Sequence, residues 1–210
     1  MIEELGLRAR KKLERRRCIE AAAIDLIEAS GYDGTTIDDI AARADIAPRT
    51  FFYYFPTKED VVLADYAARL ERITEELRQR PLAEPPWTAL RNAFVTVGAD
   101  YTSQRDELVR RFVIMADNPS VYARSLQLQA GWEDALADVL TARSGNGNDD
   151  VLPRLMASAA LACMRSSLRH WLLTGHHTEL PALFENCFDR LARGLGENRF
   201  VVVGDQQSRK

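Results

Sequence analysis

Apolar positions recur every three or four residues along most of this chain, which is the helical period. Ile19, Ala23, Leu26 and Ile27 predict a first helix, and Gly31 in "EASGYDGTT" supplies its stop. Ile37, Ile40, Ala41 and Ala44 predict a second, only about two turns long. Thr36 stands as its N-cap with Asp39 three residues on, an acidic variant of the capping box. Asp45-Ile46-Ala47 breaks that helix, and Pro48 suits the first turn of a third. Pro56 ends the third helix. Thr57 with Asp60 repeats the cap signature for a long fourth helix running to about Gln79.

The three prolines of "RPLAEPPW" (80–87) make the clearest later break. Beyond it the pattern predicts helices at about 86–103, 105–116, 119–143, 150–174 and 179–195, separated by "DNPS", "SGNGNDD" and "TGHHTELP". Strand signals are absent until the short apolar run Phe200–Val203, which is left unassigned. The expected fold is all-α: an N-terminal three-helix helix-turn-helix head joined to a larger C-terminal helical ligand-binding and dimerisation bundle. The expected division is 1–56 for the head, 57–198 for the bundle and 199–210 for a C-terminal tail.

Composition narrows this little. The 210 residues are 46% hydrophobic and 28% charged, ordinary values for a soluble globular protein. No apolar run approaches the length that spans a bilayer. The N-terminus lacks the apolar stretch of a signal peptide. Cys18, Cys163 and Cys187 are an odd, widely spaced set, which fits a cytoplasmic location and not a disulfide framework. The net charge of −3 hides an asymmetry, because Arg8, Arg10, Lys11, Lys12, Arg15, Arg16 and Arg17 crowd the first 17 residues. A basic end on an acidic body is compatible with a DNA-binding head, and equally with a solvated helix start.

Two short helices joined by a tight turn and preceded by a longer one describe a helix-turn-helix, whose second helix enters the major groove. Its turn needs a residue that tolerates positive φ, and Asp45 does so better than most. The segment "TTIDDIAARADIAPRTFFYYFPTKEDVVLADY" resembles the DNA-binding signature of the TetR family of transcriptional regulators. The resemblance is strong over about residues 12–65, and beyond them rests on length and helical layout. The C-terminal half faintly resembles actinobacterial members near the mycofactocin-associated regulators. Asp45 stands where the family commonly has Gly, and Ala47 where it has Ser. Ala47 has no side-chain oxygen with which to cap the third helix. Pro48 and Arg49 replace the usual Lys or Gly neighbours, which changes the expected operator sequence.

Helical geometry divides the run Phe51–Phe55. Phe51 and Phe55 share one face and are the expected core anchors, while Arg49, Thr50 and Tyr53 point away. Arg49 is the candidate base reader, since its fork pairs bidentately with guanine. Tyr53 is the candidate phosphate contact, Tyr54 can bury its ring and still present its oxygen, and Phe52 either packs on a thymine methyl or extends the core. The resemblance implies phosphate contacts from Thr50 and Lys58, and Thr36 sits at a helix N-terminus suited to another. The expected DNA-binding set is therefore Thr36, Pro48, Arg49, Thr50, Phe52, Tyr53, Tyr54 and Lys58. The basic N-terminal arm adds sequence-independent attraction.

The expected partners are double-stranded DNA carrying a palindromic operator, a second copy of the chain, and a small, largely apolar effector, with no membrane. By the resemblance, the last two long helices form the dimer surface. Phe94, Tyr101, Phe112, Met115, Tyr122, Trp132 and Trp171 are the candidate pocket residues, each also a credible core residue. Arg165, Arg169 or His170 could meet an anionic group of the ligand. No cofactor is expected. His176, His177 and Glu179 read as an exposed polar turn and not a metal site, and Cys163 and Cys187 as small hydrophobes before a thiol sensor. No catalytic fingerprint occurs, so the chain is not expected to be an enzyme. The alternative is a helical small-molecule binding protein that does not bind an operator.

Overall fold

The computed structural model describes residues 6–100, 105–144, 151–175 and 177–194. Ten helices occur among them: α1 (Leu7–Ser30), α2 (Ile37–Arg43), α3 (Pro48–Tyr54), α4 (Lys58–Val62), α5 (Tyr66–Gln79), α6 (Pro86–Asp100), α7 (Arg105–Asp117), α8 (Pro119–Ser144), α9 (Leu152–Leu173) and α10 (Leu180–Ala192). The described residues include no strand, and Phe200–Val203 lies outside them.

Local chemistry accounts for the first boundaries. Gly31, at φ 77°, ends α1 and donates its N–H to the Ile27 carbonyl. Thr36 and Asp39 close a reciprocal capping box at the start of α2. Asp45 carries the turn between α2 and α3 at φ 52°, the positive value expected of it. The Thr57 hydroxyl accepts the Asp60 N–H and so caps α4.

The long fourth helix is interrupted. It breaks at Leu63–Asp65 into α4 and α5, and the interruption exposes backbone carbonyls that a continuous helix would satisfy. Two arginines from elsewhere in the chain supply the missing donors. Arg111 donates to the carbonyls of Val61 (3.2 Å) and Val62 (3.1 Å), and Arg16 to that of Ala64 (3.0 Å). No local pattern encodes this break, because its compensation comes from residues about 50 positions away in either direction.

The head packs α1 on α2, and α2 on α3, around Ile19, Ala23, Ile40, Phe51 and Phe55. In the larger bundle α9 lies against α8 and α10, while α6 lies between α5 and α10. The Trp87 indole N–H donates to the Phe188 carbonyl at 3.1 Å and fixes α6 on α10. Gly98 permits their close approach, since a Cβ there would lie 2.8 Å from the Phe184 ring. Arg143 donates to the carbonyls of Leu77, Arg80 and Pro81 and so closes the end of α5 from α8. Between head and bundle, α4 touches α1, α7 and α8, which makes it the joint.

Candidate nucleic-acid interface and effector cleft

The recognition helix α3 is held from below and bare above. Phe51 and Phe55 are fully buried, with ring centroids 5.7 Å apart. Pro48, Arg49, Phe52 and Tyr53 are exposed on the opposite side, Tyr53 at 69% and Phe52 at 55%. Phe52, left undecided between core and surface by its spacing, is thus a surface residue. Thr50 and Tyr54 are half-buried, and the Tyr54 ring packs against the core. Ala47 makes no side-chain cap, and Pro48 opens the helix. An Ala47→Ser variant is expected to gain about 1 kcal/mol of stability in urea unfolding, because serine can bond a free N–H of the first turn.

Beside α3 runs a groove that the sequence shows only as a basic cluster. The first half of α1 stands largely exposed and presents Arg8, Lys11, Lys12 and Arg15 toward Tyr53 and Tyr54 across it. Those four cations fall at i, i+3, i+4 and i+7, so their spacing could have placed them on one helical face. The Lys12 ammonium lies 5.2 Å from the Tyr53 ring centroid. Cations and tyrosine hydroxyls in one groove are the chemistry that holds a phosphate backbone.

Two of the residues expected on phosphates also have structural duties. Lys58 turns inward and donates to the carbonyls of Tyr32 (2.7 Å) and Thr35 (2.9 Å), with its ammonium 3.9 Å from the Tyr32 ring centroid. It therefore ties the α1–α2 loop to α4. Thr36 gives both its N–H and its hydroxyl to the Asp39 carboxylate, at 2.9 and 2.5 Å. These hydrogen bonds hold the Asp39 carboxyl below the usual range, so an anion already occupies the start of α2.

In the bundle, α5, α7, α8 and α9 enclose a partly open cleft of about 450 Å³. Helical spacing aims its walls: Phe112 and Met115 from α7, Tyr122, Ser125 and Gln129 from α8, and Met164, Leu168 and Leu172 from α9. Tyr66 enters from the first residue of α5. Arg165 and Arg169, one turn apart, supply the cleft's positive charge, and Arg165 donates to the Gln129 side-chain carbonyl at 2.8 Å. Phe112, Met164 and Leu168 also bound a deeper cavity of about 20 Å³, into which Phe94 and the buried Arg69 face. That space holds about one water molecule.

The candidate pocket residues thus divide. Phe112, Met115 and Tyr122 line the cleft, and Phe94 the inner cavity. Trp132 and Trp171 line neither: both are buried, Trp132 against the Tyr66 ring at 5.4 Å and Trp171 with the Arg105 guanidinium 5.7 Å from its ring. They are core, because a bulky ring at helical spacing packs wherever a neighbouring helix closes over it. Tyr101 lies outside the described residues. His170 is exposed and does not line the cleft. Tyr66, Ser125 and Gln129 carried no sequence signal, since a polar residue on a helix reads as solvent-facing until a fourth helix covers it.

His176 also lies outside the described residues, and His177 is exposed. No cluster of three potential metal-ligating side chains occurs among the described residues. Burial pushes the Cys163 thiol up to about 12, so it stays protonated. No helix among the described residues is long and apolar enough to cross a membrane.

One ionic network joins cleft to head. Arg111, adjacent to Phe112, is only 5% exposed. Besides the two α4 carbonyls, it binds Glu107 at 2.9 Å and Glu20 of α1 at 3.2 Å. Glu20 also accepts from Arg16 at 3.0 Å, and the Arg16 guanidinium lies 4.7 Å from the Phe55 ring centroid. Burial pushes the Glu20 carboxyl up, and Arg111 and Arg16 pull it back only in part.

A bare recognition helix flanked by cations, on a bundle with a largely apolar cleft that carries two arginines, defines a helix-turn-helix transcriptional regulator. Residues 19–64 match the family model for bacterial regulatory proteins of the tetR family, and residues 84–196 match that of the MftR C-terminal domain. The chain belongs to the TetR family of DNA-binding transcriptional regulators and is not an enzyme. It is 34% identical over 196 residues to the HTH-type transcriptional regulator TcmR of Streptomyces glaucescens, covering 89% of this chain and 86% of that one. It is 28% identical over 177 residues to the putative mycofactocin biosynthesis transcriptional regulator MftR of Mycobacterium tuberculosis, covering 84% and 89%. Among solved structures, Thermus thermophilus FadR in complex with lauroyl-CoA superposes with a TM-score of 0.56 at 24% identity, covering 93% of this chain and 99% of that one. The resemblance expected from residues 12–65 and from the mycofactocin-associated C-terminal half is therefore borne out.

Proposed function

We propose that the chain is a cytoplasmic repressor that binds a palindromic operator as a homodimer and leaves it when an apolar, anionic effector fills the cleft. The division into a head at 1–56, a bundle at 57–198 and a tail at 199–210 belongs to the same proposal. Each head reads one half-site, with Arg49 on a base pair and Phe52 beside it. Tyr53, Tyr54, Thr50 and the α1 cations grip phosphates, and Lys58 can add only the N–H left over from its two carbonyls. Half-sites lie one helical turn, roughly 34–36 Å, or a multiple of it apart. The paired surface is formed by α9 and α10. On α9 the residues Leu155, Ala159 and Ala162 keep some exposure along one stripe, and the two alanines there allow close approach.

The single observation that carries this proposal is the joint. Arg111 touches the α4 carbonyls and α1 while its neighbour Phe112 lines the cleft, so a ligand that displaces Phe112 must disturb the seating of the head. The ligand shifts the equilibrium only by its difference in affinity for the two states.

A mobility-shift assay on the DNA upstream of the protein's own gene tests the proposal. A salt-dependent complex that lauroyl-CoA dissociates supports it. Ligand binding with no operator complex at low salt would instead favour a small-molecule binding protein. Arg165→Leu is expected to weaken lauroyl-CoA binding about tenfold in calorimetry, since a charge-assisted hydrogen bond contributes roughly 1.5–3 kcal/mol when shielded and less at a partly open mouth. Unchanged affinity would remove Arg165 from the anion site.

A further inference from the structure

One wall of the cleft has chemistry that a plain hydrocarbon would waste. Tyr66, Ser125 and Gln129 line it, yet they are among the best-buried polar residues described, at 5%, 1% and 5% exposure. Burying polar groups is unfavourable unless they are hydrogen-bonded. Two of the three have good partners: the Ser125 hydroxyl donates to the Tyr122 carbonyl at 2.7 Å, and the Gln129 carbonyl accepts from Arg165 at 2.8 Å. The Tyr66 oxygen is hydrogen-bonded by Ser125 and Gln129, but as a donor its hydroxyl has a poor partner. It donates to the Met115 sulfur at 3.2 Å, and a thioether is a weak acceptor. Ser125 and Gln129 bear on the same phenolic oxygen, whose ionisation burial suppresses, so the group stays a donor.

Met115 is itself a cleft residue with an unbranched, adaptable side chain. A ligand oxygen arriving beside Tyr66 would replace sulfur with a far better acceptor and push only a flexible side chain aside. Phe112, Met164, Leu168 and Leu172 give the cleft its apolar lining. Tyr66 is also stiffly placed, with Trp132 behind its ring at 5.4 Å.

We infer that the effector is an oxygenated amphiphilic acid: an anion that meets Arg165 and Arg169, with a hydroxyl or carbonyl oxygen on its apolar body that the Tyr66 hydroxyl and Gln129 engage. This rests on the cleft being the effector site. A cavity built to hydrogen-bond an oxygen discriminates against the analogue that lacks it, because the buried donor is then left with its inferior partner.

The test uses the full-length chain and calorimetric titration with dodecanoate and its 3-, 6- and 12-hydroxy derivatives, beside lauroyl-CoA. At least one hydroxy acid is expected to bind about tenfold tighter than dodecanoate. Tyr66→Phe and Gln129→Leu are each expected to reduce the hydroxy acid's advantage over dodecanoate, measured on the same variant, to about twofold, while an unchanged circular-dichroism spectrum reports an intact fold. Equal binding of all four acids, or a preference that survives both substitutions, overturns the oxygenated class and leaves the cleft as effector site. Binding of lauroyl-CoA with none of the acids overturns it too. If neither lauroyl-CoA nor any acid binds, the effector site itself falls.

Discussion

Arg111→Ala is expected to lower the unfolding free energy by about 3–5 kcal/mol, the range for breaking a buried ion pair by removing one partner. The guanidinium serves four acceptors on three elements: Glu20 of α1, Glu107 of α7, and the Val61 and Val62 carbonyls of α4. Truncation leaves Glu20 partly buried beside Arg16 alone, and two carbonyls at the α4–α5 break lose their donor. Arg111→Met keeps most of the packing volume and isolates the polar effect. Pairing it with Glu20→Gln should restore part of the stability, because the uncompensated charge is gone. Urea unfolding of the single and double variants measures both effects. A loss below about 1 kcal/mol would mean that solvent replaces Arg111 freely and that the joint is looser than its burial implies.

Arg49→Ala is expected to weaken operator binding about five- to 150-fold per half-site, from the roughly 1–3 kcal/mol of a bidentate base contact. The effect should depend on sequence: affinity for unrelated DNA changes little, and the preference at one base pair of each half-site relaxes. Lys12→Ala gives the contrast. Removing one phosphate-binding cation from the α1 groove should weaken all sequences alike and reduce the salt slope by about one. Mobility shifts at several salt concentrations, on operator and scrambled duplexes, separate the two. Retained preference in the Arg49 variant would move base reading to Phe52 and Tyr53, the other exposed side chains at the centre of α3.

How far the sequence reaches depends on the range of the interaction. Its caps and stops are made between residues three or four apart, so Thr36, Asp39, Gly31 and Asp45 announce their roles before any folding. The split of the aromatic run follows from helical period alone: Phe51 and Phe55 inward, Tyr53 outward. The break between α4 and α5 was not legible, because Arg16 and Arg111 satisfy its carbonyls from distant helices. The tether that Lys58 makes was not legible for the same reason. The lysine's charge suits a phosphate, but the loop carbonyls it binds come near only when α1 and α4 pack.

By itself, then, the sequence determined an all-α chain, a helix-turn-helix at its start and the face that α3 leaves exposed, since all three rest on local periodicity and local hydrogen bonds. Only the tertiary structure decided which aromatic residues wall a cavity and which merely fill the core. It alone also brought Tyr66, Ser125 and Gln129 from two helices onto one wall, and tied that cleft to the head through Arg111. Those facts depend on which helices meet, and the one-dimensional pattern of a single helix does not say what will cover it.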